Sequence, residues 1–285
     1  MWNFILVLLC CVAAAFSSRT FLQISDIHLD VHYQENGETD WPAMCRETPG
    51  TASKFGSYKC DSPKILVESA FQAMKNLTQK PEFILWTGDS SAHDSNLSQS
   101  EVMSNLRFVN QKLHQVFPGV PVIPVLGNHD SSPADYFPDS RNKSTPKLAY
   151  SDYITDGSFG DLLHSHSQEA EQFKICGFYV VRNVSYDANI TQTFIGLNTA
   201  LYYHNKAIDA KNFPLDPCGQ LAWLNKTLTE TKEKERVFIV GHVPPGFNEW
   251  SPDQALFSNE NYTKAFIDIV TMKTHATKVR HFSKF

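Results

Sequence analysis

Short apolar, β-branched runs recur along the chain at Phe21 to Ile24, Phe83 to Trp86, Val120 to Leu126 and Val237 to Val240, and each gives out into a polar or glycine-containing segment. Runs of this length between loop-forming residues predict buried strands of a covered sheet. Between them the period changes. Leu66, Ala70, Ala73 and Leu77 share one face at helical spacing, after a Ser62 and Pro63 that suit an N-cap and a first helical position. Val102, Leu106, Val109, Leu113 and Val116 make a second stripe over 100–116, read as a core face. The order strand, helix, strand, helix, strand predicts parallel pairing with right-handed crossovers.

Further along, strand character resumes over 178–181, 193–197 and 236–240, interrupted by a helix over 220–230 that places Leu221, Leu224 and Leu228 inward. The expected class is α/β, with a second sheet packed on the first and helices outside. The segment from Asp30 to Asp61 holds Gly, Pro, Thr and Ser without a sustained period, so a long surface loop is expected over the strand ends. Residues 131–168 read as irregular, with a short helix around 165–173. There is no internal repeat or low-complexity segment.

The first residues change the compartment expected for the chain. Phe4 to Phe16 is uninterrupted and apolar, is shorter than the ~20 residues of a bilayer span, and precedes Ser17 and Ser18. A signal peptide is expected over 1–18, a catalytic domain over 19–272 and an atypical tail over 273–285, with secretion to the extracellular space or lysosome and no transmembrane anchor. Acceptor sequons at Asn76, Asn96, Asn142, Asn183, Asn189, Asn225 and Asn261 point the same way. Cys10 and Cys11 lie in the leader, and the other four cysteines permit three pairings. Cys45 with Cys60 is favoured because the two bracket a Gly, Ser and Pro-rich loop, which leaves Cys176 with Cys218. Lys and Arg number 25 against 30 Asp and Glu, a net charge of -5 with no basic run, which argues against long nucleic acids as partners.

Candidate chemistry stands where the apolar runs end: Ser25-Asp26-Ile27-His28, Gly88-Asp89, Gly127-Asn128-His129-Asp130 and Gly241-His242. Strand C-terminal ends are where ligands bind in such sheets. Hydrolysis of an anionic phosphate ester needs a nucleophile and charge stabilisation on both the attacking and the leaving oxygen, which two cations about 3.5–4 Å apart supply. Such a pair wants a shared carboxylate, with His, Asp and Asn completing each shell. Asp89 is the expected bridge, joined by Asp26 and His28 for one ion and by Asn128 and His242 for the other. His129 is expected to face the substrate as a cation or proton donor oriented by Asp130, with His93, four residues beyond Asp89, as a second acid. His32, His114, His164, His166, His204, His275 and His281 are read as surface or core residues, and Tyr202 and Tyr203 as cleft-lining or packed on a sheet edge. The donor set suits zinc, manganese or iron.

With their flanks, Phe21 to Asp30, Trp86-Thr87-Gly88-Asp89 with His93, Leu126 to Asp130, Leu197-Asn198-Thr199 before Leu201-Tyr202-Tyr203, and Gly241 to Gly246 resemble the acid sphingomyelinase-like phosphodiesterases over about residues 20 to 270. The resemblance implies a calcineurin-like metallophosphoesterase fold, an α/β/β/α sandwich, and a secreted, N-glycosylated phosphodiesterase with two zinc ions. It implies Asp26, His28, Asp89, Asn128 and His242 as ligands and His93 and His129 as protonating histidines. Sphingomyelinases present lipid through a saposin domain, whereas here the first motif follows the leader almost at once. Small soluble phosphodiesters or nucleotides are therefore expected ahead of bilayer sphingomyelin, with peripheral lipid contact secondary. The family pattern also carries a final Gly-His-Xaa-His, and the chain after Val270 has no such motif and no strand is expected there. Each ion is then expected to lack one ligand, since neither His275 nor His281 follows an apolar run. A secreted glycoprotein with impaired catalysis and a binding role is the alternative expectation.

Overall fold

The computed structural model describes residues 20–78, 80–141, 149–156, 159, 163, 167–187, 190–203, 206–207, 214–232, 235–248, 251–255, 257, 260–272 and 279–283. The expected leader, the sequons at Asn142 and Asn189, and His164, His166, His204 and His275 lie outside them.

Two sheets pack face to face. The first orders β1 (Leu22–Ile24), β4 (Ile84–Trp86) and β5 (Val122–Pro124), all parallel. The second orders β11 (Val279–Ser283), β8 (Arg236–Val240), β7 (Ile190–Gly196) and β6 (Tyr179–Asp187), with only β6 and β7 antiparallel, and β9 (Phe247–Asn248) and β10 (Ser251–Ala255) form a separate antiparallel pair. Alternation along each strand sends successive side chains to opposite faces. Phe83, Leu85, Ile123 and Val125 meet Phe194, Phe238 and Val240 between the sheets, where Phe83 crosses Phe194 edge-on at 4.8 Å and Phe194 stacks on Phe238 at 5.2 Å. Ile84 and Trp86 face outward onto α1 (Lys64–Leu77) and α2 (Gln99–Val116). On the far side Ile195, Val237 and Ile239 pack against α5 (Gln220–Glu230) and α6 (Glu260–Thr271) through Leu221, Leu224, Leu228, Tyr262 and Phe266. The layers run helix, sheet, sheet, helix, and β4, β5 and Val237 to Val240 of β8 are apolar throughout because both faces are covered.

Several elements depart from the sequence reading. Helix α1 buries Val67 and Phe71 and packs Met74, while Leu66 and Leu77 are exposed. Pro63, not Ser62, stands at the N-cap, with no side-chain capping bond, and the two residues form β3, paired in parallel with β2 (Leu29–Asp30). Phe71 and Met74 offer more apolar area than Ala70 and Ala73. Helix α2 begins one residue early because Ser98 and Glu101 form a reciprocal capping box, at 3.3 and 2.8 Å. Between 131 and 168 an unexpected α3 (Tyr150–Thr155) buries Tyr150, Tyr153 and Ile154, and the helix expected near 165 is α4 (Ser167–Cys176).

The segment 30–61 is more than a surface loop. The disulfide Cys45–Cys60 closes within it, and the Arg46 guanidinium donates to Asp30 Oδ2 at 2.7 Å and to Asp94. Cys176–Cys218 joins the end of α4 to the 3-10 turn Pro217–Gly219 ahead of α5. Downstream of α6, Val279 to Ser283 pair with Val237 to Val240, contrary to the expectation of no strand there. Val-Arg-His-Phe-Ser carries little apolar signal of its own, and the parallel edge of β8 supplies the ladder that organises it.

Candidate metal centre

Two loops leaving β1 and β4 build the site through uncommon backbone. Asp26, His28 and Asp89 have φ of 53°, 42° and 54°, left-handed conformations that non-glycine residues adopt at a cost and that cluster at functional sites. The bends turn Asp26 and His28 toward Asp89. Interlocking hydrogen bonds hold them, from Asp26 N to Gly88 O at 3.0 Å, His28 N to Asp89 O at 3.0 Å and Leu29 N to Ser90 O at 2.8 Å. The glycines of the motifs are steric necessities. A Cβ on Gly127 would stand 2.1 Å from Asp89 Oδ1, and one on Gly88, at φ 92°, would stand 2.2 Å from Gly127 N.

Asp89 is the convergence point. Its Oδ1 accepts the His129 N–H at 2.8 Å, while its Oδ2 lies 3.6 Å from His28 Nε2 and 3.3 Å from His242 Nε2. Both imidazoles commit Nδ1–H to backbone carbonyls, His28 to Ser91 O at 2.9 Å and His242 to Thr87 O at 2.8 Å. Each Nε2 lone pair therefore points at oxygens. His242 Nε2 also meets Asn128 Oδ1 at 3.1 Å, with the Asn128 amide donating to Asp135 Oδ1 at 3.1 Å, and His28 Nε2 meets Asp26 Oδ1 at 3.9 Å.

Lone pairs facing lone pairs call for a cation between them, a proton or a metal. Burial opposes protonation of His242, yet the Asp89 charge beside it lifts the group to about 9. Burial likewise opposes charge on His28, and Asp26 and Asp89 raise it all the same. Burial acts against ionisation of Asp89, but His242 and His28 hold its carboxyl well below the ordinary range. Asp26, also opposed by burial, is lowered by His28 and Ser25. Ligand atoms of Asp26, Asp89 and His242 lie within 4.8 Å of one another. Hard carboxylate and amide oxygens with imidazole nitrogens, each ring fixed by a backbone carbonyl, fit divalent ions.

Asp130 does not orient His129. Its buried carboxylate accepts three amides, from Asp89 at 2.9 Å, Ser90 at 2.8 Å and Gly127 at 2.8 Å, and so pins the Gly-Asp loop to the Gly-Asn-His loop. Burial and the nearby Asp89 push its own carboxyl up against those donors. His129 differs from the expected cation: burial, reinforced by His93 and His28, lowers it despite the pull of Asp89.

The structure brings His93 to the same place. Its ring stacks on His28 at 3.9 Å and crosses His129 at 4.4 Å. Sequence reasoning missed its partner Asp61, whose Oδ1 lies 2.7 Å from His93 Nδ1 and whose Oδ2 accepts the His93 N–H at 2.7 Å. Their separation of 32 residues leaves no local signal. Tyr202 belongs to the core, against Phe257 and Tyr262, while Tyr203 is half-buried and within electrostatic reach of Asp135 and Asp89. His32 is a surface residue 4.0 Å from Glu101. Asn76, Asn96 and Asn261 are exposed, and Asn225 is half-buried on α5.

Similarity to known proteins follows the site. The chain is 35% identical over 250 residues to a sphingomyelinase phosphodiesterase C of Dictyostelium discoideum, covering 84% of this chain and 52% of that protein. It is 33% identical over 254 residues to the acid sphingomyelinase-like phosphodiesterase 3b of Homo sapiens, covering 86% and 52%. It is 31% identical over 258 residues to a cyclic GMP-AMP phosphodiesterase of Homo sapiens, covering 87% and 53%. The chain thus spans about half the length of the relatives it matches. The family model for calcineurin-like phosphoesterases matches residues 19–270, and the chain belongs to that family.

Proposed function

We propose that the chain is a zinc-dependent phosphodiesterase that is exported through the secretory route and cleaves small phosphodiesters or nucleotides. One observation carries the reading: two imidazole Nε2 atoms, each with its other nitrogen bound to a carbonyl, converge on the single buried oxygen Asp89 Oδ2. Asp26, His28 and Asp89 would hold one ion, and Asp89, Asn128 and His242 the other. When bound, the pair supplies a nucleophile at neutral pH and stabilises charge on the attacking and leaving oxygens.

The chain's own groups do the rest. The backbone N–H of His129 donates to Asp89 Oδ1 and places the imidazole beside the bridging carboxylate, where a ring N–H can donate to a phosphate oxygen. His93, with Nδ1 committed to Asp61, presents Nε2 and gives its proton to the departing oxygen as the phosphorus–oxygen bond breaks. A relative named as a cyclic GMP-AMP phosphodiesterase supports soluble diesters ahead of sphingomyelin as substrates. Two disulfides and the exposed sequons at Asn76, Asn96 and Asn261 support export, and among the described residues no helix is long and apolar enough to cross a membrane.

A second reading, a phosphate-binding glycoprotein without turnover, would keep the same donors: among the described residues each ion would have three protein ligands, the number an open catalytic zinc site also has, and turnover decides between the readings. Turnover of a dinucleotide phosphodiester by the chain secreted from cultured cells, measured before and after chelation and zinc return, separates the two. Hydrolysis that chelation abolishes and zinc restores supports the enzyme; zinc uptake with no hydrolysis supports the binder.

A further inference from the structure

Asp61 spends both carboxylate oxygens on one residue. Oδ2 takes the backbone N–H of His93 and Oδ1 faces its Nδ1, each at 2.7 Å, and the aspartate is only 8% exposed. Two attachment points, one on the main chain and one on the ring, fix both the position and the rotation of the imidazole. A carboxylate accepts only, so Nδ1 carries the proton, and Nε2 is the atom left for other chemistry. The carboxylate is anchored in turn: Ser62 N donates to His28 O at 2.9 Å, and Leu29 pairs with Ser62 in the β2–β3 ladder. The segment that places His28 beside Asp89 therefore also places Asp61 behind His93.

The same three side chains, His28, Asp61 and His93, lie at metal-ligand spacing. A third cation has no donors there, because both Asp61 oxygens already bind His93, His28 Nδ1 binds Ser91 O and His28 Nε2 faces Asp89 and Asp26.

We propose that Asp61 is the positioning residue for His93, holding Nδ1–H so that Nε2, protonated when His93 acts as the acid, is directed at the leaving-group oxygen. The proposal rests on the phosphodiesterase reading for its consequence but not for its geometry. In the step, the electron pair of the breaking phosphorus–oxygen bond stays on the departing oxygen. His93 acts in its imidazolium form, protonated on both nitrogens: as the water oxygen bonds to phosphorus, the Nε2 proton moves to the departing oxygen and leaves the neutral Nδ1–H imidazole hydrogen-bonded to Asp61, which is not itself protonated.

The test uses Asp61→Asn, whose amide can accept only one of the two N–H groups of His93, on the full metal-loaded chain with two substrates that differ only in the leaving group. With a nucleoside alkoxide leaving group, which needs a proton, kcat should fall about 100-fold with KM and bound metal unchanged. With p-nitrophenolate, which leaves without one, the loss should shrink to less than about 3-fold. His93→Ala should show the same split, and the double variant should be no worse than His93→Ala alone. Equal loss on both leaving groups, or loss of metal, would overturn the proposal. Nitrogen-15 spectra of the wild-type imidazoles decide the geometry without any variant or turnover: His93 protonated on Nδ1, alone or together with Nε2, is expected, and a ring protonated on Nε2 alone would refute it. A wild type inactive on both substrates but with His93 in the Nδ1–H form would sink the phosphodiesterase reading and keep the positioning one.

Discussion

The two sheets meet at one core but end in different ways. Strands β1, β4 and β5 have ladders of three residues and run out into loops bent through left-handed Asp26, His28 and Asp89. Strands β6, β7 and β8 run nine, seven and five residues, and β8 delivers a single site residue, His242, directly from its end. The first sheet surrenders ladder for shaped loops and recovers order through polar bonds around Asp130. The second keeps its ladder and is stabilised by buried rings. Damage to the loops of the first should therefore appear in metal binding, and damage to the buried rings of the second in stability alone.

The sharpest contrast pairs Phe194→Ala with Asp130→Ala. Emptying the ring position between the sheets should cost about 3–5 kcal/mol in urea unfolding, while the folded fraction keeps its metal. Removing the Asp130 carboxylate orphans three buried amides at about 1–3 kcal/mol each and frees the Gly-Asp and Gly-Asn-His loops, so stability and metal content should fall together. Metal loss in the phenylalanine variant would break the comparison. Next in size, Asp89→Asn should weaken metal affinity by at least about 100-fold in competition titrations, because it strips the shared carboxylate charge from both sites. Arg46→Ala should cost about 3 kcal/mol by leaving the buried Asp30 without its ion partner, read as a lowered urea midpoint.

The smallest effect per step is the response to pH. In the metal-free protein a proton on His242 contributes stability that is fully present below the ordinary histidine value of 6.5 and is lost as pH rises through about 9. A metal must displace that proton. Metal affinity should therefore rise roughly tenfold per pH unit between 6.5 and 9, while the urea midpoint of the metal-free chain declines. Calorimetric titrations at pH 6.5, 7.5 and 9 check the sign, and a flat profile would mean His242 binds no proton that the ion must replace.

What could be read from the chain follows this same division. Asp26, His28, Asp89, Asn128, His129 and His242 each stand just past an apolar run, so strand ends located them and the structure brings them together. His93 was reachable by its closeness to Asp89 in sequence. Asp61 was not, because its link to His93 passes through the β2–β3 ladder and a 32-residue separation. The job of Asp130 was misjudged for a related reason: a residue adjacent to His129 in the chain spends its carboxylate on amides contributed largely by another loop. Helical periodicity does not encode the pairing of Ser62-Pro63 with Leu29-Asp30, and β11 depended on an available sheet edge. Local composition marks where strands stop, whereas the contacts between the loops that follow belong to the tertiary fold.

The central claim, that Asp89 holds two ions between the loops of the first sheet and His242 of the second, is tested most directly by metal content. Elemental analysis of the purified wild-type chain beside Asp89→Asn should find about two divalent ions per chain in the first and fewer than one in the second. Near-zero metal in the wild type, or equal metal in both, would contradict it.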